Sequence, residues 1–395
     1  MRILYVASRH SYGRPELGLS FEHWNFYHAL VNMGHDILYF DYRGLKRHLG
    51  REGMNRRLQE VADAERPDVL FSVLHREIVE REVIRKISRQ GRFLTLNWFT
   101  DDHFLFESYT QFWAPCFNWA VTTSAGALNK YASIGYTNVI KSQWGCNHFL
   151  YRPLDLPPAY DCSFVGQPHG DRREVIRALR GAGLSVRTWG NGWEEGVIDQ
   201  EEMIRVFNQS RINLNLSNAS SPPRRPRSAL TRARRAAREW LSDRLNIIPG
   251  VRAFREEARL RRKEQRRRRN AARSSAQPAG VVLPEQIKGR NFEVPGCGGF
   301  LITGPAENLE EYYRDGEEVV IFRSQEELID KARYYLEHEE ERAAVAQAGC
   351  RRTLAEHTYV HRFAEIFERM GLKPVHTWAD AVDAAAAPGH TVEIT

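Results

Sequence analysis

The chain has 395 residues, of which 42% are hydrophobic and 27% are charged. This composition is typical of a globular protein with two or three domains. No apolar run approaches the roughly 18 residues of a membrane span, and the first residues become polar too early for a secretory signal. We therefore expect a cytoplasmic protein and exclude the transmembrane and disulfide-scaffold classes.

The five cysteines lie far apart in the sequence, without a C-x-x-C pair, and the fourteen histidines are scattered. Zinc sites and redox pairs need closely spaced thiols or imidazoles. The spacing therefore favours reduced thiols, and we expect neither a cofactor nor a metal site. The cysteines are Cys116, Cys146, Cys162, Cys297 and Cys350.

The net charge of +7 is distributed unevenly along the chain. Residues 221–275 contain eighteen Arg and one Lys against five acidic residues, a net charge of +14, so the remaining residues carry −7. The basic character therefore belongs to one segment, and any contact with nucleic acid or an anionic membrane is expected to be local to it.

In the first half of the chain, short apolar runs alternate with stretches of helical periodicity. Strands that are apolar throughout and separated by helices are typical of a parallel sheet covered on both faces, as in a Rossmann-like domain. The predicted strands are Ile3–Ala7, Ile37–Phe40, Val69–Leu74, Phe93–Phe99, Ala120–Thr123 and Val139–Ile140, and the predicted helices are Phe21–Met33, Arg56–Ala64 and Ile78–Ser88.

A proline-rich stretch, Tyr151–Ala159, interrupts this pattern, which then restarts. The second set of predicted strands is Cys162–Val165, Val186–Trp189, Ile212–Leu216, Phe300–Ile302 and Val319–Phe322. The predicted helices are Glu174–Leu179, Met203–Gln209, Leu309–Tyr313 and His361–Met370. A further helix is predicted to begin at a capping box formed by Ser324 and Glu327 and to end at about His338.

The predicted fold class is therefore α/β, with two Rossmann-like domains that face each other across a cleft. The expected bounds are 1–155 for the first domain, 156–358 for the second, and 359–371 for a C-terminal helix. Residues 372–395 are expected to form a poorly ordered tail. Ligands of such sheets bind outside the carboxyl ends of the strands, here on both cleft walls.

Residues 221–283 interrupt the second domain as a basic insertion. Apolar residues recur at steps of three and four from Leu230 to Ile248, which predicts a basic amphipathic helix within a segment of two helices. Such a helix can simply be a solvated face, or it can bind an anionic membrane surface, here through residues 224–273 at the inner face of the membrane. Nucleic acid is a less favoured partner, because no stacking motif or helix-turn-helix accompanies the charge.

The stretch Gln286–Thr303 places Lys288, Arg290 and Glu293 on a short predicted helix that runs into three glycines and a buried strand. Glycines allow close approach of the backbone, and a helix end with two cations suits a diphosphate. Glu293 shares a helix face with Arg290 and could accept hydrogen bonds from two ribose hydroxyls. The alternative is an exposed, salt-bridged turn.

Gly166 follows a predicted strand, and Arg172 or Arg173 begins the next helix. A glycine turn at a helix N-terminus beside a guanidinium is suited to binding phosphate. The alternative is an ordinary turn in which Asp171 caps the helix.

Trp98–His103 lies at the cleft end of the fourth predicted strand. Its two carboxylates, Asp101 and Asp102, and the imidazole of His103 could deprotonate a hydroxyl group. The alternative is that either carboxylate caps the following helix.

The loop Ser8–Gly13 follows the first predicted strand and is expected to face the same cleft. It lacks G-x-G-x-x-G, so a dinucleotide cofactor is not expected. His10 and Tyr12 are candidates for contact with a second substrate, although His10 fits an ordinary surface histidine as well. Glu22 is interpreted only as a first-turn residue of the next helix.

The stretch Gln286–Thr303, with Glu310–Tyr313, Asp315–Arg323 and Glu356–Tyr359, resembles the spore-maturation CgeB-like glycosyltransferases. These are relatives of the group 1 transferases with the two-domain GT-B fold. The resemblance extends from about residue 161 to residue 367, apart from the insertion. Over residues 1–150 it is looser and depends on the strand order and the region of residues 98–102.

The resemblance implies a GT-B glycosyltransferase of hexosyltransferase type, which moves a sugar from a nucleotide-diphosphate sugar to a hydroxyl acceptor without a metal ion. It implies that Glu293 holds the nucleotide ribose, with Glu285 the residue nearest to the family's second glutamate. The loop Trp189–Trp193 is expected near the nucleotide base, although its aromatic residues could equally be packing residues. The last helix is expected to cross back to the first domain.

The predicted site follows from these motifs and the resemblance together. The predicted donor-binding residues are Gly166, Arg172, Arg173, Trp189, Gly190, Lys288, Arg290, Glu293, Gly298 and Gly299. The predicted catalytic residues are Asp101, Asp102 and His103, and the acceptor-side candidates are His10 and Tyr12.

Two other functions fit the same sequence. One is a catalytically idle GT-B protein that binds an anionic membrane or nucleic acid through the insertion. The other is a sugar-nucleotide epimerase, which would bind a nucleotide sugar without needing an acceptor.

Overall fold

The structure is a computed structural model and describes residues 1–217, 285–372 and 390–394. The predicted insertion at residues 221–283 lies outside the described residues, as does most of the predicted tail. Within the described ranges the strands form two separate parallel sheets, and helices cover the faces of both. The predicted α/β class is confirmed.

The first sheet has seven strands in the order β12-β2-β1-β3-β4-β5-β6, and all its neighbouring strands pair in parallel. Its strands are apolar and buried almost throughout, because a parallel sheet with helices on both faces exposes neither face to water. The strands are β1 (Arg2–Ala7), β2 (Asp36–Asp41), β3 (Val69–Ser72), β4 (Leu94–Phe99), β5 (Trp119–Thr122), β6 (Val139–Lys141) and β12 (Thr391–Glu393).

The helices of the first domain match the predicted positions with two differences. The helix predicted at Arg56–Ala64 is part of a longer one that begins at Tyr42, where Asp41 accepts a hydrogen bond from the backbone of Arg43, and bends at Gly50. The first helix contains a π-helical turn, His23–Tyr27. The helices are α1 (His28–Asn32), α2 (Tyr42–Glu65), α3 (Arg81–Arg89), α4 (Asp102–Leu105), α5 (Gln111–Trp113) and α6 (Leu128–Ser133).

The second sheet has five parallel strands in the order β11-β10-β9-β7-β8. The capping box predicted at Ser324 is confirmed, since its hydroxyl accepts a hydrogen bond from the backbone of Glu327. The strands are β7 (Tyr160–Val165), β8 (Val186–Trp189), β9 (Ser210–Asn215), β10 (Leu301–Thr303) and β11 (Val320–Ile321), and the helices are α7 (Arg172–Gly181), α8 (Gln200–Gln209), α9 (Arg290–Gly296), α10 (Gln325–Glu337) and α11 (Glu339–Glu356).

One predicted helix of the second domain, Leu309–Tyr313, is wrong. The structure has only a 3₁₀ turn there, Leu309–Glu311. The carbonyl oxygen of Tyr312 accepts hydrogen bonds from the side chains of His357 (2.8 Å) and Arg352 (3.3 Å), so these side chains take the place of a following helical turn.

The last helix, α12 (Tyr359–Arg369), packs on the first sheet, as the sequence predicts. Tyr359, Phe363 and Phe367 lie in the same apolar cluster as Phe26 and Phe71 of the first domain. The chain therefore returns to the first domain after completing the second.

The expectation of a poorly ordered tail does not hold for the part of it that the structure describes. Residues Thr391–Glu393 form β12, which pairs in parallel with β2. Two side chains reinforce this pairing: Arg9 forms an ion pair with Glu393, and the hydroxyl of Tyr27 lies 3.1 Å from that of Thr391. These contacts explain why so short a strand has a defined position.

In each sheet the strand order reverses once near its middle, between β1 and β3 in the first and between β7 and β9 in the second. Such a reversal opens a crevice at the carboxyl ends of the strands, where ligands of doubly wound sheets bind. The segments that follow these four strands are therefore the first places to look for a site.

Candidate active site

Two loops of the second domain meet at its crevice, one after β7 and one after β8. The backbone N–H of Gly166 donates to the carbonyl of Trp189 (2.9 Å), and the indole N–H of Trp193 donates to the carbonyl of Gly166 (2.7 Å). Gly190 has φ +135°, and a Cβ placed there would lie 2.3 Å from the carbonyl oxygen of Gly166. Only glycine fits there, because the two backbones touch.

Arg172 and Arg173 hold this pair of loops in different ways. The guanidinium of Arg172 is buried and donates to the carbonyls of Gln167 (2.9 Å) and Leu216 (2.6 Å), which ties the segments after β7 and β9 together. Arg173 donates to the carbonyl of Gly192, and its guanidinium lies 4.9 Å from the ring centre of Trp193. Burial lowers the pKa of Arg172 to about 10, which still leaves it charged at neutral pH.

Trp189 was predicted to lie near a nucleotide base, but its side chain is buried and packs edge-on against Tyr160. It therefore matches the packing alternative, and only its backbone is near the crevice. Gly299 is also a packing position, because a Cβ there would lie 2.9 Å from the side-chain amide of Asn213. Gly298 has φ +71°, and a Cβ there would make only an ordinary contact, 3.4 Å from Pro153.

Lys288 precedes α9, and its ammonium group interacts electrostatically with Asp101 of the first domain. Burial, together with the nearby charge of Arg172, lowers the pKa of Lys288 to about 7, although Asp101 of the first domain acts in the opposite direction. Among the described residues its ammonium group has no ion-pair partner within 4 Å. A partly desolvated amine near a second cation is less stable in its charged form unless an anion joins it.

Arg290 and Glu293 lie on the same face of α9, as predicted, but they pair with each other. Glu293 is fully buried: one carboxylate oxygen accepts from Arg290, and the other accepts from the hydroxyl of Tyr151 (3.0 Å) and the amide of Asn25 (3.5 Å). Arg290 also lies 5.3 Å from the ring centre of Phe207. In this structure Glu293 orients Arg290, and its contact with a ribose stays a prediction.

The two carboxylates predicted as catalytic groups at the end of β4, Asp101 and Asp102, have different surroundings. Asp102 is fully buried and accepts hydrogen bonds from Thr110 (2.6 Å) and Tyr131 (2.7 Å), and burial raises its pKa to about 6. Asp101 occupies the N-cap position of α4 without a capping hydrogen bond from its side chain. Burial raises the pKa of Asp101, while His75 and Lys288 oppose that effect.

His103 follows Asp102 in sequence, but its side chain has different surroundings. Its Nε2 atom is buried and has no hydrogen-bond partner among the described residues. Burial and the charge of Lys288 lower the pKa of His103 to about 4, so the imidazole is neutral at physiological pH. An unpartnered, neutral imidazole near Lys288 is suited to hydrogen-bond an uncharged group such as a hydroxyl.

The sequence analysis did not identify His75, which follows β3 at the point where the strand order of the first sheet reverses. Its Nε2 lies 2.7 Å from a carboxylate oxygen of Glu22, and its Nδ1 lies 3.4 Å from the hydroxyl of Thr100. Burial alone would lower the pKa of His75, but the hydrogen bond and charge of Glu22 raise it. No local motif marks His75, so only the strand order could have pointed to it.

His10 and Tyr12, the acceptor-side candidates, lie on the loop after β1. His10 is half-buried, and its Nδ1 has no hydrogen-bond partner among the described residues; burial lowers its pKa. Tyr12 is 68% exposed and has φ 56°. The structure brings neither into contact with His75, Asp101 or Lys288 through a hydrogen bond.

The two domains also contact each other beside the cleft, through Glu307 of the second domain. The carboxylate of Glu307, after β10, accepts hydrogen bonds from the backbone of Gly126 (2.9 Å) and the hydroxyl of Ser124 (3.2 Å), which follow β5. Lys141 donates to the hydroxyl of Tyr312 nearby. These contacts hold the described domains in their present relative position.

The second domain has a recognisable relative among protein families. Residues 172–234 and 250–368 match the family model described as glycosyl transferase-like. These two stretches are therefore similar in sequence to that family. The match includes α7 with Arg172 and Arg173 and α9 with Arg290 and Glu293, so this domain supplies the cationic side of the cleft. No curated protein matches the chain in sequence.

Solved structures similar to the whole chain have the GT-B fold, which confirms the predicted architecture. HepE from Anabaena, in complex with UDP-glucose, is 11% identical with a TM-score of 0.54, and the match covers 94% of this chain and 99% of HepE. Sucrose-phosphate synthase from Thermosynechococcus elongatus is 10% identical, with a TM-score of 0.54 and coverage of 94% and 98%. A glycosyltransferase from Rickettsia africae is 8% identical, with a TM-score of 0.53 and coverage of 93% and 98%.

Two further findings concern the described residues alone. None of their helices is long and apolar enough to cross a membrane. They contain no group of three or more His, Cys, Asp or Glu side chains that is placed to hold a metal ion.

Proposed function

We propose that this protein transfers a sugar from a nucleotide-diphosphate sugar to a hydroxyl acceptor, with the glycosyl transferase-like domain holding the donor. The observation that carries the proposal is the position of Lys288. Its ammonium is half-buried near Arg172, has no ion-pair partner among the described residues, and acts electrostatically on Asp101 and His103 across the cleft.

A diphosphate is the ligand that suits this arrangement. Arg172 lowers the pKa of Lys288, and Arg290 acts in the same direction on Arg172, so the cations disfavour one another until an anion lies among them. Such groups stabilise the negative charge that develops on a departing diphosphate, and charge stabilisation of this kind is commonly the largest catalytic contribution. The proposed transfer therefore needs no divalent ion for the leaving group.

Support for a uridine nucleotide comes from HepE, whose solved structures are complexes with UDP, with UDP-glucose, and with UDP and glucose. We therefore propose a UDP-hexose as the donor and the first-domain residues Asp101 and His103 as the acceptor side. His103, with its neutral and unpartnered Nε2, is suited to orient a sugar hydroxyl.

Two finer predictions stand as proposals beside this one. The resemblance to the CgeB-like enzymes supports a role in polysaccharide or glycoconjugate synthesis in the cytoplasm. The charge of +14 in residues 221–275 supports contact of residues 224–273 with an anionic membrane.

The test is thermal unfolding of the wild type, Lys288→Gln and the control Lys86→Gln with UDP, GDP, dTDP, ADP and CMP. A ligand at about 100 times its Kd stabilises the folded state by roughly 2.7 kcal/mol, which shifts the Tm by several degrees. Lys86 is exposed on α3, so its replacement removes one charge and leaves the cleft unchanged. Glu293→Ala is a poorer choice, because it leaves Arg290 buried without its carboxylate.

We expect UDP to stabilise the wild type and the Lys86 control, and to stabilise Lys288→Gln much less. Release of UDP from UDP-glucose would then support transfer. A changed sugar without release of nucleotide would support the epimerase instead. A folded wild type that none of the five nucleotides stabilises would contradict the proposal.

A further inference from the structure

The loop between β1 and the first helix, residues 8–20, has no part in the proposed donor site. Backbone hydrogen bonds close it across its width. The N–H of Ser20 donates to the carbonyl of Arg9 (2.8 Å), and the N–H of Ser11 donates to the carbonyl of Gly18 (3.0 Å). The loop therefore has a defined conformation at the carboxyl end of β1, where ligands of such a sheet bind.

The end of this loop touches the second domain between two of its cations. Phe21 is the next residue along the chain, and a Cβ placed at Gly289 would lie 2.9 Å from the Phe21 ring. Gly289 stands between Lys288 and Arg290, so the ring packs against the backbone that carries both of these donor-site side chains. A molecule held by the loop would therefore lie on the first-domain side of the proposed donor site.

Tyr12 is presented by this loop in a backbone conformation that tyrosine rarely adopts. It lies in a 3₁₀ turn, Ser11–Gly13, with φ +56°, and its side chain is 68% exposed. Residues held in such strained conformations cluster at active sites and ligand clamps. An exposed tyrosine ring has an apolar face and a polar hydroxyl, a combination that suits the C–H face and the hydroxyls of a sugar.

Two cations at the start of α2 adjoin the same turn. Arg43 packs against it, since a Cβ at Gly13 would lie 2.7 Å from the Cδ atom of Arg43. The Nε of Arg43 donates to the hydroxyl of Tyr42 (3.2 Å), and its two terminal nitrogen atoms form no hydrogen bond or ion pair with the described residues. Arg47 lies one helical turn later on the same face, and its buried Nε has no hydrogen-bond partner within the described ranges.

The carboxylates near these cations are already engaged elsewhere. Each has its own partner: Asp41 has the backbone N–H of Arg43 (3.2 Å), Glu16 has the guanidinium of Arg14 (3.3 Å), and Glu393 has that of Arg9. The positive charge of Arg43 and Arg47 is therefore available to an anionic group of a ligand. A guanidinium binds a carboxylate or a phosphate through charge-assisted hydrogen bonds, which are stronger than neutral ones.

We propose that Tyr12, Arg43 and Arg47 bind an acceptor sugar that carries an acidic group, either a carboxylate or a phosphate. This inference rests on the proposed function and gives it an acceptor class. The ring of Tyr12 packs against the sugar ring, and the two guanidinium groups bind the acidic group. His10, whose Nδ1 is buried without a hydrogen-bond partner among the described residues, forms a hydrogen bond with a sugar hydroxyl.

The experiment measures the affinity of three sugars for the protein saturated with UDP, by titration calorimetry. The probes are D-glucose, D-glucuronate and glucose 6-phosphate. Bound UDP occupies the proposed donor site, so the cations of the second domain are not open to the probes. The wild type should bind at least one acidic sugar about tenfold or more tighter than glucose, and the tighter of the two identifies the acidic group as a carboxylate or a phosphate.

Arg43→Gln tests the recognition of charge. It should weaken binding of the acidic sugar by about 10–100-fold, the usual effect of losing hydrogen bonds between charged groups, and leave the affinities for glucose and UDP unchanged. The matched control is Arg56→Gln, an exposed position further along α2, which should behave as the wild type.

Tyr12→Gly tests the aromatic ring separately from the charge. Glycine adopts positive φ without strain, so the variant should unfold at a Tm no lower than that of the wild type. Because packing of the ring against a sugar does not depend on the acidic group, all three sugars should bind more weakly by a similar factor. Unchanged affinities for the sugars would overturn the role of Tyr12.

The outcomes separate this inference from the function on which it rests. A wild type that binds UDP, but binds neither acidic sugar tighter than glucose, overturns the inference and leaves the proposed function standing. An Arg43→Gln variant that keeps the full preference for the acidic sugar also overturns the inference alone. A folded wild type that binds no nucleotide overturns both.

Discussion

The two walls of the cleft differ in the sign of their charge. We define the second-domain wall as Arg172, Lys288 and Arg290 with the Gly166 and Gly190 loops, and the first-domain wall as Glu22, His75, Asp101 and His103. On the second wall cations lie close together, with Glu293 as the carboxylate that pairs with one of them. The first wall contains two imidazoles and two carboxylates, and His75 is hydrogen-bonded to Glu22.

Under the proposed function, each wall takes one half of the reaction. Clustered cations stabilise negative charge on a leaving group but cannot accept a proton. A carboxylate with an imidazole can accept a proton but has little attraction for a diphosphate. The proposed transfer needs both walls, and Glu307 and the buried contacts of α12 join the two domains.

The largest expected effect on stability comes from a substitution that disrupts the backbone contact between the Gly166 and Gly190 loops of the second-domain wall. Gly190→Ala places a Cβ where the Gly166 carbonyl lies, and it forces φ +135° on a residue with a side chain. Strained backbone costs about 1–3 kcal/mol and an overpacked contact a similar amount, so we expect a loss near 4 kcal/mol in the free energy of unfolding. Urea denaturation measures it.

Gly183→Ala is the matched control for this substitution. Gly183 also has positive φ, at +88°, but a Cβ there meets nothing within 4 Å. It should cost only the backbone strain of about 1–3 kcal/mol. Equal losses in the two variants would contradict the contact between the two loops.

A second prediction concerns Asp102, which lies behind the first wall. Its folded pKa of about 6 exceeds the usual value near 3.9, so the folded protein keeps a proton that the unfolded chain has lost. Stability contributed by that proton is complete below about pH 4 and is lost as the pH rises to about 6, roughly 3 kcal/mol in all. Asp102→Asn imitates the protonated form, so this loss should disappear.

The measurement is urea denaturation of the wild type and Asp102→Asn between pH 4 and pH 7. The difference in the free energy of unfolding should grow in favour of the variant as the pH rises, and the affinity for UDP should be unchanged. A constant difference would show that Asp102 titrates normally. A large loss of UDP affinity would instead place Asp102 in the binding site.

The smallest predicted effect concerns the contact that joins the walls. Glu307→Ala removes the hydrogen bonds to Gly126 and Ser124 and should weaken UDP binding by about three- to tenfold, near 1 kcal/mol, because the domains separate more easily. Titration calorimetry measures this change. Glu340→Ala, an exposed site on α11, is the control and should leave the affinity unchanged. An unchanged affinity in Glu307→Ala would show that the contact does not favour the closed cleft.

Local sequence predicted most of the fold because nearly every strand is a short apolar run with a helix on each side. The exceptions depend on distant partners. The turn at Leu309–Glu311 is set by His357 and Arg352, which lie some forty residues later. The strand Thr391–Glu393 depends on pairing with β2, at the other end of the chain.

The site was predicted unevenly for the same reason. Arg172, Lys288 and Arg290 lie at local signals, a glycine turn or a helix beginning, so the sequence alone proposed them as donor-binding residues. The pairing of Glu22 with His75 joins residues 53 positions apart, and no spacing rule connects them. Asp101 and Asp102 are adjacent in sequence, yet one reaches the cleft edge and the other is fully buried, a difference set by the first turn of α4.

The central claim, that Lys288 and its neighbours receive a diphosphate, is tested most directly by proton uptake. Burial and Arg172 lower the pKa of free Lys288 to about 7, and a bound diphosphate must raise it again. Calorimetry of UDP-glucose binding at pH 8, in buffers of different ionisation enthalpy, measures the protons exchanged; the diphosphate of UDP-glucose has no group that titrates near this pH. We predict net uptake of protons by the wild type and none by Lys288→Gln. Equal uptake by both proteins, or no uptake by the wild type, would contradict the claim.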